Sequence, residues 1–548
     1  MPRLLPFAAL LLLAFAAAAP AADFPPGATA PLTPAEAAAW REDLAFMAAQ
    51  MKQRHKDLFH TTGEAEFDAA VAALHAALPR GGRHDAIVGL MRIAALVGDG
   101  HTNVSPLKDP AFAFPSLPVK LYDFEDGVHV WAAKPGWEHL LGARVVRVGG
   151  VAVEDARERI AAISPRDNAM GLRMYFPLFL AMPPVLDALG LSADPASATL
   201  DVVVDGESRR VVVPATQVDP SWPPDTDVSL SAPDGWTIAT RDGRPPRWLA
   251  DPLDLQRIDA LPDRDALVVR LDMVSDTPEQ SLAAFGEKIL ATVRATDPAR
   301  VVIDLRLNRG GNHDLRYPFI ADLIRAEDFD TALYVLVGRG AFSATQALLD
   351  DLDRYTAATF VGEPAASKPN SFGDSYKLQM PNSGLTFRTS IYWHQRDQRA
   401  WPWTPVDVAA PPTFADYAAG RDAALETALT MPPLEALGER ALAAAREHGA
   451  ERAVAEAKAW LDDPRHRYAN RERTLVRTAW MLAGDGLAAE GVAVAELTVA
   501  ALPASVDAWT TLALLAKQKG DGERAAEAAR RTLALDPENR QVRAIVGG

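Results

Sequence analysis

Val301-Val302-Ile303-Asp304-Leu305-Arg306-Leu307-Asn308-Arg309-Gly310-Gly311-Asn312 is the stretch that decides the fold. Val301 to Leu307 is β-branched and apolar, so it reads as a buried strand. Gly310-Gly311 ends it and leaves backbone N–H groups free to point at a ligand. A second apolar strand, Thr331 to Val337, runs into Gly338-Arg339-Gly340-Ala341-Phe342-Ser343-Ala344-Thr345. A third ends in Val361-Gly362-Glu363-Pro364, and Lys368 follows. Ala344 to Leu352 reads as a helix with Ala347, Leu348 and Leu352 on one side. Ser343 therefore stands at a helix N-terminus, where unpaired N–H groups and the helix dipole favour negative charge. Two readings of Ser343 stay open. It is either a nucleophile, with the Ala344 N–H and a Gly310 or Gly311 N–H as oxyanion donors, or simply an N-cap. Lys368 is likewise either a general base, which requires burial to lower its pKa, or a solvated loop lysine.

The order of these motifs resembles the tail-specific, or carboxy-terminal processing, serine peptidase family, to which tricorn protease is related. The family pattern of Asp-Leu-Arg-x-Asn-x-Gly-Gly is matched by Asp304 to Gly311, its Ser-Ala by Ser343-Ala344, and its Val-Gly-Glu by Val361-Gly362-Glu363. The resemblance implies a Ser–Lys dyad of Ser343 and Lys368, 25 residues apart (368 − 343). It also implies a crotonase-like (ClpP/crotonase type) ββα core, so the expected fold class is α/β.

Nearer the start, His84 to Val97 reads as a helix that stops at Gly98-Asp99-Gly100, before His101-Thr102-Asn103-Val104. This resembles the helical cap of tricorn-like members, in which a histidine of a Gly-Asp-Gly-His-Thr setting is the serine's general base. His101 matches it, and a base with a near-neutral pKa suits proton abstraction from a hydroxyl. The resemblance thus leaves two candidate bases, Lys368 and His101. The tricorn-like glutamate before a Pro-Asp pair is missing from Asp397 to Pro405, so the orienting acid is unassigned. Asp99 and Glu363 are candidates by sequence proximity alone.

Composition bounds the function. A hydrophobic content of 49% and a charged content of 23% are globular values, and 548 residues leave room for several domains. The net charge of −16 argues against a nucleic-acid partner. With no cysteine, disulfides, thiol catalysis and cysteine-ligated metals are excluded. No metal or cofactor is expected. There is no His-Glu-x-x-His, no phosphate-loop lysine motif and no Gly-x-Ser-x-Gly elbow.

Five segments are expected. Residues 1–22 read as a signal peptide: Arg3, an apolar run from Leu4 to Ala19, then the small-x-small site Ala19-Pro20-Ala21. This predicts export to the periplasm or the medium, without stable membrane insertion after cleavage. Residues 23–112 form the helical N-terminal cap carrying His101, with Ala37, Trp40, Leu44, Met47 and Met51 at helical spacing and a second helix from Glu66 to Leu78. Residues 113–215 form a β-rich module that resembles the PDZ-like domain of processing peptidases, which captures a carboxy-terminus as an added strand. Within it, the apolar run Ser164 to Leu191 either lines a groove or fills core. Residues 216–431 are the peptidase core, after a Pro-, Asp- and Trp-rich connector from Pro220 to Arg247. Residues 432–548 are alanine-rich helix with a 34-residue step from Pro503 to Pro537 (537 − 503). That region resembles tetratricopeptide repeats, which suit a protein partner; the alternative is a helical tail packed on the core.

The expected function is a serine endopeptidase acting on protein or peptide substrates through an acyl-enzyme on Ser343. The alternative is a non-catalytic ligand- or protein-binding member of the same fold.

Overall fold

The computed structural model describes residues 30–546 apart from 105, 107–111, 113, 217–229, 231–234, 251–253 and 327–330. The expected signal peptide and half of the Pro220–Arg247 connector lie outside the described residues. No helix among the described residues is long and apolar enough to cross a membrane.

The stretch that opens the sequence argument lies at the centre of a six-stranded sheet. Its order is Val408–Ala409, Thr359–Gly362, Ala332–Val337, Arg300–Asp304, Ala266–Leu271, Gln256–Leu261. All neighbours are parallel except the last pair. Ala266–Leu271 is buried at every position, as a strand covered on both faces must be. Helices Leu282–Thr296, Arg316–Ala326 and Ala344–Tyr355 connect successive strands and share one apolar cluster with them, built on Phe285, Ile289, Phe319, Leu348 and Leu352. Ala423–Thr430 covers the other face, against Val268, Val302 and Leu336. Strand ends at Asp304, Val337 and Gly362 therefore leave the sheet together, and ligands of open parallel sheets sit at such carboxyl ends.

Two further sheets bring the cap to this edge. Asn103–Val104 pairs antiparallel with Thr386–His394, which pairs with Ser371–Gln379. Asn103 faces Arg388 and Val104 faces Phe387. This short ladder fixes His101, two residues before it. The cap helices Pro34–Arg54, Glu64–Ala77 and Arg83–Ala95 pack beneath; Thr33 and Glu36 close the first with a capping box.

The β-rich module is a twisted sheet of Val119–Phe124, Gly127–Ala133, Arg144–Val148, Ser197–Val204 and Glu207–Pro214, with two short added strands. One continuous apolar cluster joins it to the cap. The apolar run becomes two helices, Ala169–Leu180 and Pro183–Ala188. Phe176, Phe179 and Leu180 fill that shared core, while Tyr175 reaches the main cavity.

From Leu437 onward the chain is helical. Leu437–Asp462 is broken at Gly449 (φ 73°, ψ −164°), and antiparallel helices then follow to Val546. The helices starting at Ala488 and Gly522 are 34 residues apart (522 − 488). This region also packs on the core: Trp403 Nε1 donates to the Tyr468 carbonyl at 3.2 Å, and His466 Nδ1 lies 2.8 Å from the Asp407 carbonyl.

Candidate active site

Ser343 occupies the N-cap position of Ala344–Tyr355, yet its side chain makes no capping bond. Its backbone is at φ 59°, ψ −119°, a conformation that L-residues other than glycine rarely adopt. Such strain, of order 1–3 kcal/mol, persists only where the surroundings impose it, and it concentrates at functional positions. Here it turns the hydroxyl away from the helix and onto His101: Nε2 is 3.0 Å from Ser343 Oγ.

The surroundings that impose it are visible. Phe342 N–H donates to the Asn308 carbonyl at 3.1 Å, and Thr345 Oγ1 donates to the same carbonyl at 2.9 Å and to Asn308 Oδ1 at 2.5 Å. Asn308 Nδ2 reaches back to the Leu271 carbonyl at 3.0 Å. One fully buried asparagine thus knots the loop after Asp304 to the serine turn. Ser343 N–H donates to Ser367 Oγ at 3.0 Å, which adds the loop after Gly362. Arg306 locks the same edge by bidentate bonds to Asp304 and to Asp422, all buried.

His101 is held by its loop and by stacking. Asp99 Oδ1 accepts from the N–H groups of His101 (2.8 Å) and Thr102 (2.6 Å) and from the Ser390 hydroxyl (2.9 Å). Asp99 Oδ2 is 2.9 Å from His55 Nε2, in a pair sealed from water. Burial pushes the Asp99 carboxyl up, but His55, Thr102 and Ser390 outweigh it and hold it below the ordinary carboxylate range. The His101 ring stacks on Phe342, with centroids 4.5 Å apart. Gly100 permits this approach, since a Cβ there would meet the Phe342 ring at 2.7 Å. Burial holds the imidazole below its ordinary pKa, against the opposing charges of Asp99 and Asp374. It is therefore neutral near pH 7 and able to accept a proton.

Neither acid suggested by sequence proximity touches the ring. Asp99 serves the backbone, and Glu363 forms a buried bidentate pair with Arg339 at 2.7 and 2.8 Å. His101 Nδ1 is buried with no carboxylate partner among the described residues. The Asp374–His394 pair, 3.2 Å, lies beside it and contributes charge only.

The other expected site residues divide. Lys368 does not line the cavity that His101 and Ser343 share; it lines another of about 960 Å³ together with Asp167 and Arg166. Its neighbour Ser367 is the residue that reaches the serine. Gly310 N–H is committed to Asn308 Oδ1 at 3.0 Å, so it is not free for an oxyanion. Gly311 is exposed and bridges Val274. Ala344 N–H stands at the start of the helix, beside the Ser343 hydroxyl. Gly310 has a steric part instead. At φ 104° a Cβ would lie 2.8 Å from Ser343 Cβ and 2.9 Å from Ala344 N and the Phe342 carbonyl oxygen. Gly310→Ala is expected to destabilise the protein by about 2–4 kcal/mol and to displace the serine turn, read by thermal melting and by loss of turnover together.

Sequence reasoning missed Asn308's knot, Ser367 and Asp167. Asn308 stood inside the quoted motif, but its partner Thr345 is 37 residues away and only the fold pairs them.

The cavity holding His101 and Ser343 has a volume of about 570 Å³. Tyr122, Tyr175, Trp248, Met273 and Phe342 give it an apolar and aromatic wall. No group of acidic and histidine side chains among the described residues is arranged to hold a metal. What the site brings together is a strained serine hydroxyl, a neutral imidazole bonded to it, and a helix N-terminus in a cleft.

Known protein families and curated proteins give no match to this chain. Solved structures do. Mature CPAF complexed with lactacystin is 14% identical, with 70% of this chain and 96% of that chain covered and a TM-score of 0.46. The photosystem II D1 C-terminal processing protease is 15% identical, covering 70% of this chain and 98% of that chain, with a TM-score of 0.30. The Sgt2 TPR domain from Aspergillus fumigatus is 18% identical over 20% of this chain and 72% of that chain, with a TM-score of 0.15. These likenesses are remote.

Proposed function

We propose that the protein is a serine endopeptidase in which Ser343 is the nucleophile and His101 the general base. The single observation that carries this is the 3.0 Å contact between His101 Nε2 and the hydroxyl of a serine held in a strained backbone conformation. Nε2 takes the hydroxyl proton as Oγ attacks a peptide carbonyl. The resulting oxyanion faces the Ala344 N–H and the helix dipole. His101 then passes the proton to the departing amine, leaving an acyl-enzyme on Ser343. Water, deprotonated by the same imidazole, releases the acyl group and regenerates the hydroxyl. The aromatic wall suits apolar side chains of an extended substrate. The core sheet with its crossover helices suits the crotonase-like expectation, the module 113–215 the capture of a carboxy-terminus, and the helical region 432–548 a protein partner. Export follows from the signal-like residues 1–22.

One observation favours the binding-protein reading: no carboxylate among the described residues orients His101 Nδ1, and the Phe372 backbone acts on the ring in its place. A cleavage assay decides between the two. The mature protein is incubated with a loosely folded protein and new termini are mapped by mass spectrometry. New termini at defined sites support the peptidase; none across many substrates supports binding alone. The pH profile adds a check on the base. Only neutral imidazole accepts the proton, and its pKa is depressed, so kcat/KM should fall on the acid side with a midpoint below 6.5.

A further inference from the structure

His101 and Ser343 stand 242 residues apart, on segments anchored to different sheets, yet must meet at hydrogen-bond distance. A reacting pair needs its geometry held within about 0.5 Å. Something must tie the base loop to the serine turn from behind.

Asp167 sits at that junction. Its Oδ1 accepts the Gly100 N–H at 2.8 Å, directly before His101. Ser367 lies beside the same carboxyl, and its Oγ accepts the Ser343 N–H at 3.0 Å. Asp167, with the bond from its neighbour Asn168 to the Ser367 carbonyl, therefore links the backbone beside the base to the backbone of the nucleophile. Asp167 is itself fixed by the next residue. Asn168 Nδ2 donates to the carbonyls of Ala365 (3.0 Å), Ser367 (3.1 Å) and Pro402 (2.8 Å). Asn168 Oδ1 caps the helix Ala169–Leu180 through the N–H groups of Met170 and Gly171. The second oxygen of Asp167 is buried with no hydrogen-bond partner among the described residues, which a purely structural carboxylate rarely tolerates.

We propose that Asp167 is a positioning residue, clamping the Gly100–His101 loop to the Ser343 turn through its neighbour Asn168 and Ser367. The inference rests on the serine peptidase reading above. Burial and the charge of Asp99 push the carboxyl up to about 7, against the Gly100 N–H, Lys368 and Ser367. Asp99 faces it from the His101 loop, Lys368 from the loop after Gly362, and Arg166 adjoins it on its own segment. Above pH 7 the ionised carboxylate makes the Gly100 bond charge-assisted and so tightens it.

The test compares wild type, Asp167→Ala, Asp167→Asn and Ser367→Ala for kcat, KM, melting temperature and pH profile. Asp167→Ala deletes the acceptor and is expected to lower kcat about 10- to 100-fold with KM changed less than about twofold. Asp167→Asn keeps an oxygen for Gly100 and should recover most of that loss, while an ionisation near pH 7 disappears from its kcat profile. Ser367→Ala, which breaks the other half of the clamp, should resemble Asp167→Ala; it stands in should Asp167→Ala fail to fold. A folded Asp167→Ala with wild-type kcat overturns the proposal, as does an Asn variant no better than the Ala variant. If wild type itself cleaves nothing, the peptidase reading falls, and crystal structures of wild type and Asp167→Ala judge the clamp alone. A widened separation between His101 Nε2 and Ser343 Oγ upholds it; the 3.0 Å contact kept in the variant overturns it.

Discussion

Ser343→Ala is expected to lower kcat/KM by about 10⁵-fold while leaving the fold intact. The substitution has two effects, one on chemistry and one on stability. On the proposed mechanism, removing Oγ deletes the atom that forms the acyl-enzyme. What survives is the smaller acceleration from binding and from the helix N-terminus, of order 10³-fold over water. The second effect concerns stability. At φ 59°, ψ −119° the residue carries strain that glycine does not. Ser343→Gly should therefore be as inactive as Ser343→Ala but more stable, by about 1 kcal/mol after the unfolded-state entropy of glycine is counted. Mass-spectrometric mapping of termini and paired melting curves check both effects. Equal cleavage by wild type and Ser343→Ala would remove Ser343 from the mechanism. A less stable Ser343→Gly would mean that the turn is not strained.

Much of this site was legible because its chemistry is local. The run Val301 to Leu307 has the apolar, β-branched composition of a strand, and it forms one over Arg300–Asp304. The glycine turn was legible for the same reason, since Gly310 takes a positive φ; the strained backbone of Ser343, read from the sequence only as a helix start, was not. Gly98-Asp99-Gly100 likewise marks the end of a helix and the start of the His101 loop. What the sequence could not order was the choice of base. Lys368 and His101 both stood in fitting motifs, and nothing in linear spacing says which side of the Gly362 loop a side chain leaves from. In the fold, Ser367 turns toward Ser343 and Lys368 toward Asp167. Asp167 was not marked by the sequence because it opens a stretch that packing explains, and its hydrogen-bond partner comes from residue 100. The hairpin partner Ser371–Gln379 was missed as well, since its exposed polar positions dilute the strand pattern.

His101→Ala should cost about 10⁴-fold in kcat/KM, and Lys368→Ala less than about threefold. The contrast follows from where the two side chains are. His101 Nε2 is 3.0 Å from Oγ, in line to accept its proton, and its ring is pressed against Phe342. Lys368 lines a different cavity, where its charge acts on Asp167. Without the imidazole, Oγ must give its proton to water, and the leaving amine has no acid to protonate it, so both halves of the reaction slow. Added imidazole should restore part of the activity of His101→Ala by entering the space the ring vacates, and it should do nothing for Lys368→Ala. Without Lys368 the Asp167 carboxyl titrates slightly higher, so any loss in that variant should fade as pH is raised and Asp167 ionises. The opposite pattern, a dead lysine variant beside an active histidine variant, would require the loop at residues 363–370 to swing by a full side-chain length before catalysis. The bonds from Asn168 Nδ2 to the Ala365 and Ser367 carbonyls, and from Ser343 N–H to Ser367 Oγ, oppose that movement. The proposed histidine-dependent mechanism is thus the one this arrangement of hydrogen bonds can sustain without first being taken apart.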